Sequence, residues 1–242
     1  LGGAAPDLSV VIPACNEADN VGPLAHEIDA ALRGCLSFEI VFVDDGSSDA
    51  TAAAVLSVRR HVAGIRLLRH AERRGQSAAI HTGVRAARAA WVATLDGDGQ
   101  NDPADIARLL AARDADPSFG LLVGHRIVRM DSWQKRLSSR VANRVRARLL
   151  GDGTPDTGCG LKLFRRAVFL ELPYFDHMHR FLPALFRRQG VAVVSVPVGH
   201  RRRERGHSKY GVGHRLWVGI FDLCGVRWLI ARRHEGTQVT EE

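Results

Sequence analysis

The first half of the chain alternates short apolar runs with stretches of helical periodicity. Residues 8–13, 39–45, 65–69 and 91–96 read as strands, and 20–32, 49–61 and 75–90 read as the helices between them. That alternation predicts a parallel sheet covered by helices. The run Ile40-Val41-Phe42-Val43 is apolar at every position, as a strand buried on both faces should be. In open sheets of this kind ligands bind beyond the carboxyl ends of the strands. Polar residues collect at those ends: Asn16 and Glu17 after the first strand, Asp44 and Asp45 at the second, residues 73–76 after the third, Asp96 and Asp98 at the fourth.

The second half is less regular. A strand is predicted over 121–124 with His125 and Arg126 at its end, then a basic helix within 132–150 and a polar segment Asp156-Thr157-Gly158-Cys159-Gly160. A helix over 179–188, a strand over 191–198, a basic loop and a final helix over 216–230 complete the pattern. In that last helix Trp217, Phe221, Cys224 and Trp228 fall within ~60° of one another at 100° per residue. Such a stripe serves core packing, and with Arg232 and Arg233 beside it would equally suit a helix lying in a membrane interface. A short polar tail is expected at 232–242, and residues 1–7 form another.

The chain has 242 residues, 45% hydrophobic and 25% charged, enough for one large globular domain. No apolar run reaches the ~18 residues of a spanning helix and no signal-peptide pattern opens the sequence, so a cytoplasmic location is expected. Four scattered cysteines (Cys15, Cys35, Cys159, Cys224) form no CxxC pair, which argues against both a zinc site and a disulfide framework. The net charge of +8 implies an anionic partner: nucleic acid, lipid headgroups or a phosphorylated substrate. Its distribution narrows the choice. Lys135, Arg136, Arg140, Arg144, Arg146 and Arg148 stand together without an acid, and Arg201, Arg202, Arg203, Arg205 and Lys209 share a segment with Glu204 alone. The chain carries no helix-turn-helix, zinc-finger or aromatic RNA-binding pattern, so nucleic acid is not the expected partner.

The candidate chemistry centres on Asp96-Gly97-Asp98-Gly99-Gln100, where an apolar run ends in two carboxylates one residue apart. On an extended backbone both carboxylates would share one side, and the glycines would let a ligand approach closely. Oxygen donors of this type suit Mg²⁺ or Mn²⁺ bridging to a diphosphate. Asp and Gly also make ordinary turns after strands, so the motif needs its context.

Taken in order, Val10-Val11-Ile12-Pro13-Ala14-Cys15-Asn16-Glu17, Val43-Asp44-Asp45-Gly46-Ser47 and Asp96-Gly97-Asp98-Gly99-Gln100 resemble the donor half of a family 2 inverting glycosyltransferase. Gly124-His125-Arg126, the segment from Asp156 to Leu161, and Arg203-Glu204-Arg205-Gly206-His207-Ser208-Lys209 are similar to its polyprenyl- or dolichyl-phosphate mannose synthase branch. The resemblance covers residues 8–215. It implies a GT-A, Rossmann-like, mostly parallel α/β sheet in a single domain over 8–231, with the donor half at 8–126 and the acceptor half at 127–231.

The resemblance also implies roles. Pro13, Cys15, Glu17, Val43 and Asp45 would contact the nucleoside, with Cys15 standing where the family often has a stacking tyrosine. Asp96, Asp98 and Gln100 match metal-binding positions and Gly97 lies beside the sugar nucleotide. Arg126 matches a residue near the transferred phosphate region, and Arg203 and Lys209 match a loop over the diphosphate. Lys135, Arg136 and Ser139 match the acceptor-phosphate site, and Asp156 lies where some relatives carry a base. The implied reaction is metal-dependent inverting transfer of a hexose, mannose or glucose, from a GDP- or UDP-sugar to a polyprenyl phosphate. It would take place on the anionic inner face of the cell membrane, with the protein bound peripherally. Transfer to a sugar or other hydroxyl is the alternative within the family. Arg227-Trp228 partly match the Gln-x-x-Arg-Trp motif of processive relatives, but Cys224 replaces the Gln, which points to single transfers.

Overall fold

A computed structural model describes residues 4–127, 146–202 and 213–232. Seven strands form one sheet: β1 (Leu8–Ala14), β2 (Phe38–Asp45), β3 (Ile65–His70), β4 (Trp91–Thr94), β5 (Phe119–Arg126), β6 (Lys162–Arg165) and β7 (Ala192–Val198). Their spatial order is β3-β2-β1-β4-β6-β5-β7. Neighbours run parallel except β6, which is antiparallel to both β4 and β5. The fold is therefore the mostly parallel α/β sheet that the sequence predicts. The chain builds outward from β1 through β2 to β3, then returns to place β4 on the other side of β1. That reversal opens a crevice beyond the carboxyl ends of β1 and β4, the position where such sheets take ligands.

Alternation along β1 feeds two cores. Leu8, Val10 and Ile12 join Ile40 and Phe42 on one face, whereas Val11 joins Val41 and Val43 on the other. Helices α1 (Ala18–Leu32), α2 (Thr51–Val58) and α4 (Asp105–Ala115) cover the first face, and α1 presents Val21, Leu24, Ala25, Ile28 and Leu32 at helical spacing. Helix α3 (Gln76–Ala86) covers the second. Its Gly83 lies so close to the sheet that a β-carbon there would sit 2.4 Å from a Val11 methyl. Further along the second face pack α5 (Arg166–Leu170), α6 (Leu182–Arg188) and α7 (Gly213–Ala231).

Several local expectations shift. The fourth strand stops at Thr94, so Asp96 and Asp98 stand on a turn rather than on one side of an extended backbone. The helix expected over 179–188 divides into a 3₁₀ turn (Met178–Arg180) and α6, because Pro183 has no N–H to continue one helix through that point. Strand β6 and helices α4 and α5 are not anticipated by the apolar pattern; β6 is short and carries a lysine at a buried position. Helix α7 packs Val226 fully, with Leu223 and Ile230 beside it, whereas Phe221, Cys224 and Trp228 of the expected stripe are exposed. The acceptor residues Lys135, Arg136 and Ser139, and the loop residues Arg203 and Lys209, lie outside the described residues.

Candidate active site

The loops at the carboxyl ends of β1 and β2 are joined by side chains. The Asn16 N–H donates to Ser47 Oγ at 2.9 Å, the Ser48 N–H to Asn16 Oδ1 at 2.8 Å and the Glu17 N–H to Thr51 Oγ1 at 2.8 Å. Asn16 adopts a left-handed backbone (φ 51) to make this turn. Glu17 then accepts from Asn20 Nδ2 at 2.6 Å, at the start of α1. Pro13 lies at the crevice, while the Val43 side chain belongs to the core, which leaves its backbone as the part able to meet a nucleoside. Asp45 is buried and braces the next loop. It accepts from the N–H groups of Arg74 and Gly75, both at 2.8 Å, and lies 2.7 Å from His70 Nδ1.

The turn after β4 brings Asp96 and Asp98 together. Gly97 fits closely there, since a β-carbon would sit 3.0 Å from the Pro13 carbonyl oxygen. Asp96 Oδ1 accepts from Gln76 Nε2, at the first turn of α3, at 2.8 Å. Its other side rests on Gly160, where a β-carbon would sit 2.3 Å from Oδ2. Burial, then the neighbouring Asp98 charge, push the Asp96 pKa up to about 6, against the opposing pull of Lys162, Arg126 and Gln76. Gln100 is held by segment 199–202: its carbonyl accepts the Arg201 N–H at 2.9 Å. The Arg201 guanidinium in turn bridges Glu27 at 2.6 Å and Asp102 at 2.8 Å.

The segment 156–162 closes the other wall. Arg126 grips Asp156 with two bonds, Nε to Oδ2 at 2.7 Å and Nη2 to Oδ1 at 2.8 Å. Lys162 is buried beneath the crevice and donates to the Cys159 carbonyl; burial pulls its pKa down. Burial likewise raises the Cys159 thiol, which stays protonated and unreactive. A cavity of about 370 Å³ lies between Pro13, Gln76 and Asp96 on one side and Asp156, Gly160 and the 3₁₀ turn residues His179 and Arg180 on the other. Asp98 faces a second, smaller cavity of about 200 Å³ with Glu27, Arg201 and Arg202.

The structure therefore places Pro13, Asp96 and Asp156 on one cavity, with Gly97 against Pro13 and Arg126 bonded to Asp156, and sets Asp98 on the smaller cavity next to it. Gly160 joins them from the polar segment 156–160, and Lys162, Ser77, His179 and Arg180 join with no role predicted for them. The Asp156-to-Gly160 segment was the available signal for Gly160 and Lys162. Nothing local marks His179, which reaches the site from 102 residues beyond Ser77.

The donor set fits a divalent cation. Burial first and the Asp98 charge second raise the Asp96 pKa, and a hard cation held by the two carboxylates would offset both. Among the described residues no three His, Cys, Asp or Glu side chains gather to hold a metal alone, so phosphate oxygens, water or the Gln100 amide would complete its shell.

Comparison with known proteins gives the family of the chain and the likeness of its fold. Residues 9–172 match the Glycosyl transferase family 2 family, and the chain belongs to it. It is 36% identical over 234 residues to the dodecaprenyl-phosphate galacturonate synthase of Rhizobium johnstonii, covering 93% of this chain and 67% of that protein. It is also 36% identical over 208 residues to the undecaprenyl-phosphate 4-deoxy-4-formamido-L-arabinose transferase of Edwardsiella ictaluri, covering 85% of this chain and 63% of that protein. The chain thus spans about two thirds of the length of these relatives. Among solved structures, the glucosyl-3-phosphoglycerate synthase of Mycobacterium tuberculosis in complex with Mn²⁺, UDP and phosphoglyceric acid superposes with a TM-score of 0.71. That match has 19% identity and covers 95% of this chain and 80% of the other, a likeness of fold.

Proposed function

We propose that this chain transfers a single hexose from a GDP- or UDP-sugar to a polyprenyl phosphate, with inversion at the anomeric carbon. The observation that carries this reading is Asp96, beside Asp98 on the turn after β4, facing Asp156 and its partner Arg126 across a cavity of about 370 Å³. The names of the two relatives at 36% identity support a polyprenyl-phosphate acceptor.

Asp96 and Asp98, with Gln100, would hold Mg²⁺ or Mn²⁺, which when bound offsets the negative charge that builds on the departing nucleoside diphosphate. Glu17, Cys15, Pro13, Asp45 and the Val43 backbone would contact the nucleoside. The acceptor phosphate is already ionised at neutral pH and needs aiming more than deprotonation. The state of Asp156 favours this acceptor over a hydroxyl. Both of its oxygens accept bonds from Arg126, so it serves to position Arg126 rather than to act as a base. Arg126, Arg203 and Lys209 would then stabilise the diphosphate, and Lys135, Arg136 and Ser139 would receive the acceptor phosphate.

A lipid acceptor requires the protein at a membrane surface. No described helix is long and apolar enough to cross one. Helix α7 instead exposes Phe221, Trp228 and Ile220, with Arg227 and Arg232 on the same helix and its end, a composition suited to anionic headgroups at the inner face of the cell membrane.

The test is a panel of GDP-mannose, UDP-glucose and UDP-galacturonate with polyprenyl phosphate and Mn²⁺, assayed for lipid-linked product. One productive donor with metal dependence is expected, and Asp98→Ala should lower that turnover about 100-fold or more. Transfer to sugar hydroxyls but to no lipid phosphate would shift the reading to the hydroxyl acceptor; activity of Asp98→Ala close to wild type would remove the metal role.

A further inference from the structure

The strand register sets His70 beside Asp45, since β2 and β3 run parallel and these two residues are partners at their carboxyl ends. Asp45 is 4% exposed, so its carboxylate is satisfied by the protein around it. Oδ1 lies 2.7 Å from His70 Nδ1 and accepts the Arg74 N–H at 2.8 Å, while Oδ2 accepts the Gly75 N–H at 2.8 Å. Gly75 takes a left-handed backbone (φ 90) as the chain enters α3. The other ring nitrogen, Nε2, lies 2.9 Å from Thr82 Oγ1 on α3, so the imidazole is held at both edges. A carboxylate offers about four acceptor sites, two on each oxygen. Whichever partner carries the proton between Oδ1 and Nδ1, Oδ1 is filled. One acceptor site remains, on Oδ2.

We propose that His70 is a base-specificity residue: by filling Oδ1 of Asp45 it leaves that carboxylate able to accept a single hydrogen bond from the base of the donor nucleotide. This rests on Asp45 contacting the nucleoside, as proposed above. The count of acceptor sites then separates two bases. Uracil presents one N–H, at N3 between two carbonyls, and needs one acceptor. Guanine presents N1–H and its 2-amino group side by side, a pair that uses both oxygens of a carboxylate. Its second donor would meet the saturated Oδ1 and go without a partner. The site therefore prefers a uridine diphosphate sugar to a guanosine diphosphate sugar. Thr82 is a positioning residue, because it holds the far edge of the ring that fills Oδ1.

Base selection separates from loop bracing when the 2-amino group is varied alone. Inosine diphosphate is GDP without that group, and it keeps the larger ring and the N1–H. Binding of UDP, inosine diphosphate and GDP is measured by calorimetry with Mn²⁺ for wild type, His70→Ala and His70→Asn. Wild type is expected to bind inosine diphosphate about tenfold more tightly than GDP, and UDP more tightly than either. His70→Ala opens Oδ1 and should bring the inosine-to-guanosine ratio close to one. His70→Asn places an amide nitrogen near the position of Nδ1 and should keep most of the wild-type ratio. A purely structural role for His70 would instead weaken all three nucleotides together and leave the ratio alone, which would overturn the proposal. Equal binding of GDP and inosine diphosphate by wild type would overturn it as well, and that measurement decides even if His70→Ala does not fold. If wild type binds none of the three, the donor-site reading itself fails, a result distinct from a wild type that binds all three alike.

Discussion

At the scale of single residues, the site is governed by how Asp96 is packed. Gly160 leaves room for its carboxylate, Gln76 orients it, and Asp98 stands close enough to oppose its ionisation. Its pKa is raised from 3.8 to about 6, first by burial and then by Asp98. The sign follows from linkage: between those values the folded chain binds the proton more tightly than the unfolded chain, so this contribution to stability falls as pH rises and is gone above about pH 6. A divalent metal bound there would take the place of the lost proton. Metal-free wild type should therefore lose melting temperature between pH 5 and pH 7.5 relative to Asp96→Asn, by roughly 5 °C. Added Mn²⁺ should restore the wild type at pH 7.5 and do little for the variant. Scanning fluorimetry across both pH values checks this, and parallel curves for the two proteins would refute it. The motif was legible in the sequence because its residues are consecutive. The raised pKa was not, because Gly160 and Lys162 come from the bend before, and the first residue of, a strand that folds back beside β4.

At the scale of elements, α7 shows how periodicity finds a helix without choosing its buried face. Both Phe221/Cys224/Trp228 and Leu223/Val226/Ile230 recur at helical spacing, and only packing against α6 and its apolar cluster selects the second set. The two faces give opposite predictions. Val226→Ala removes a fully buried side chain and should cost roughly 1–3 kcal/mol in denaturant unfolding. Phe221→Ser with Trp228→Ser removes side chains that are 75% and 59% exposed and should leave stability nearly unchanged. The same double variant should lose most of its co-sedimentation with vesicles containing anionic lipid. Wild-type vesicle binding by that variant would take α7 out of the proposed membrane contact. A comparable limit applies to β6, whose buried Lys162 breaks the apolar pattern that identifies the other sheet strands.

At the scale of the whole molecule, the end of the sheet opposite the crevice is tied by one buried carboxylate. Glu39 accepts from Ser9 Oγ, Arg66 Nη1 and the Arg88 N–H, each at 2.7 Å, and so joins β1, β2, β3 and the loop entering β4. Burial alone would raise its pKa, but the bonds from Ser9, Arg66 and Arg88 outweigh it and hold the carboxyl below its ordinary value. Its contribution is therefore complete above the unfolded-state pKa and is lost as pH falls through the folded one. Glu39→Ala should cost about 3 kcal/mol at pH 7 and progressively less below pH 4.5. Urea titrations at the two pH values measure the difference, and donor affinity of the folded fraction should not change because the crevice is at the other end of the strands.

The sequence by itself determined the layered α/β architecture, the edge at which chemistry gathers and the Asp96–Asp98 motif. Those features rest on periodicity and on residues adjacent in the chain, and a strand or helix with a buried face leaves that mark locally. Only the tertiary structure decided that Asp156 is committed to Arg126, that Lys162 and Gly160 lie beneath Asp96, that Ser77 meets His179, and which face of α7 is covered. Each is a pairing of distant segments, and its energetics depend on burial, which no local pattern encodes.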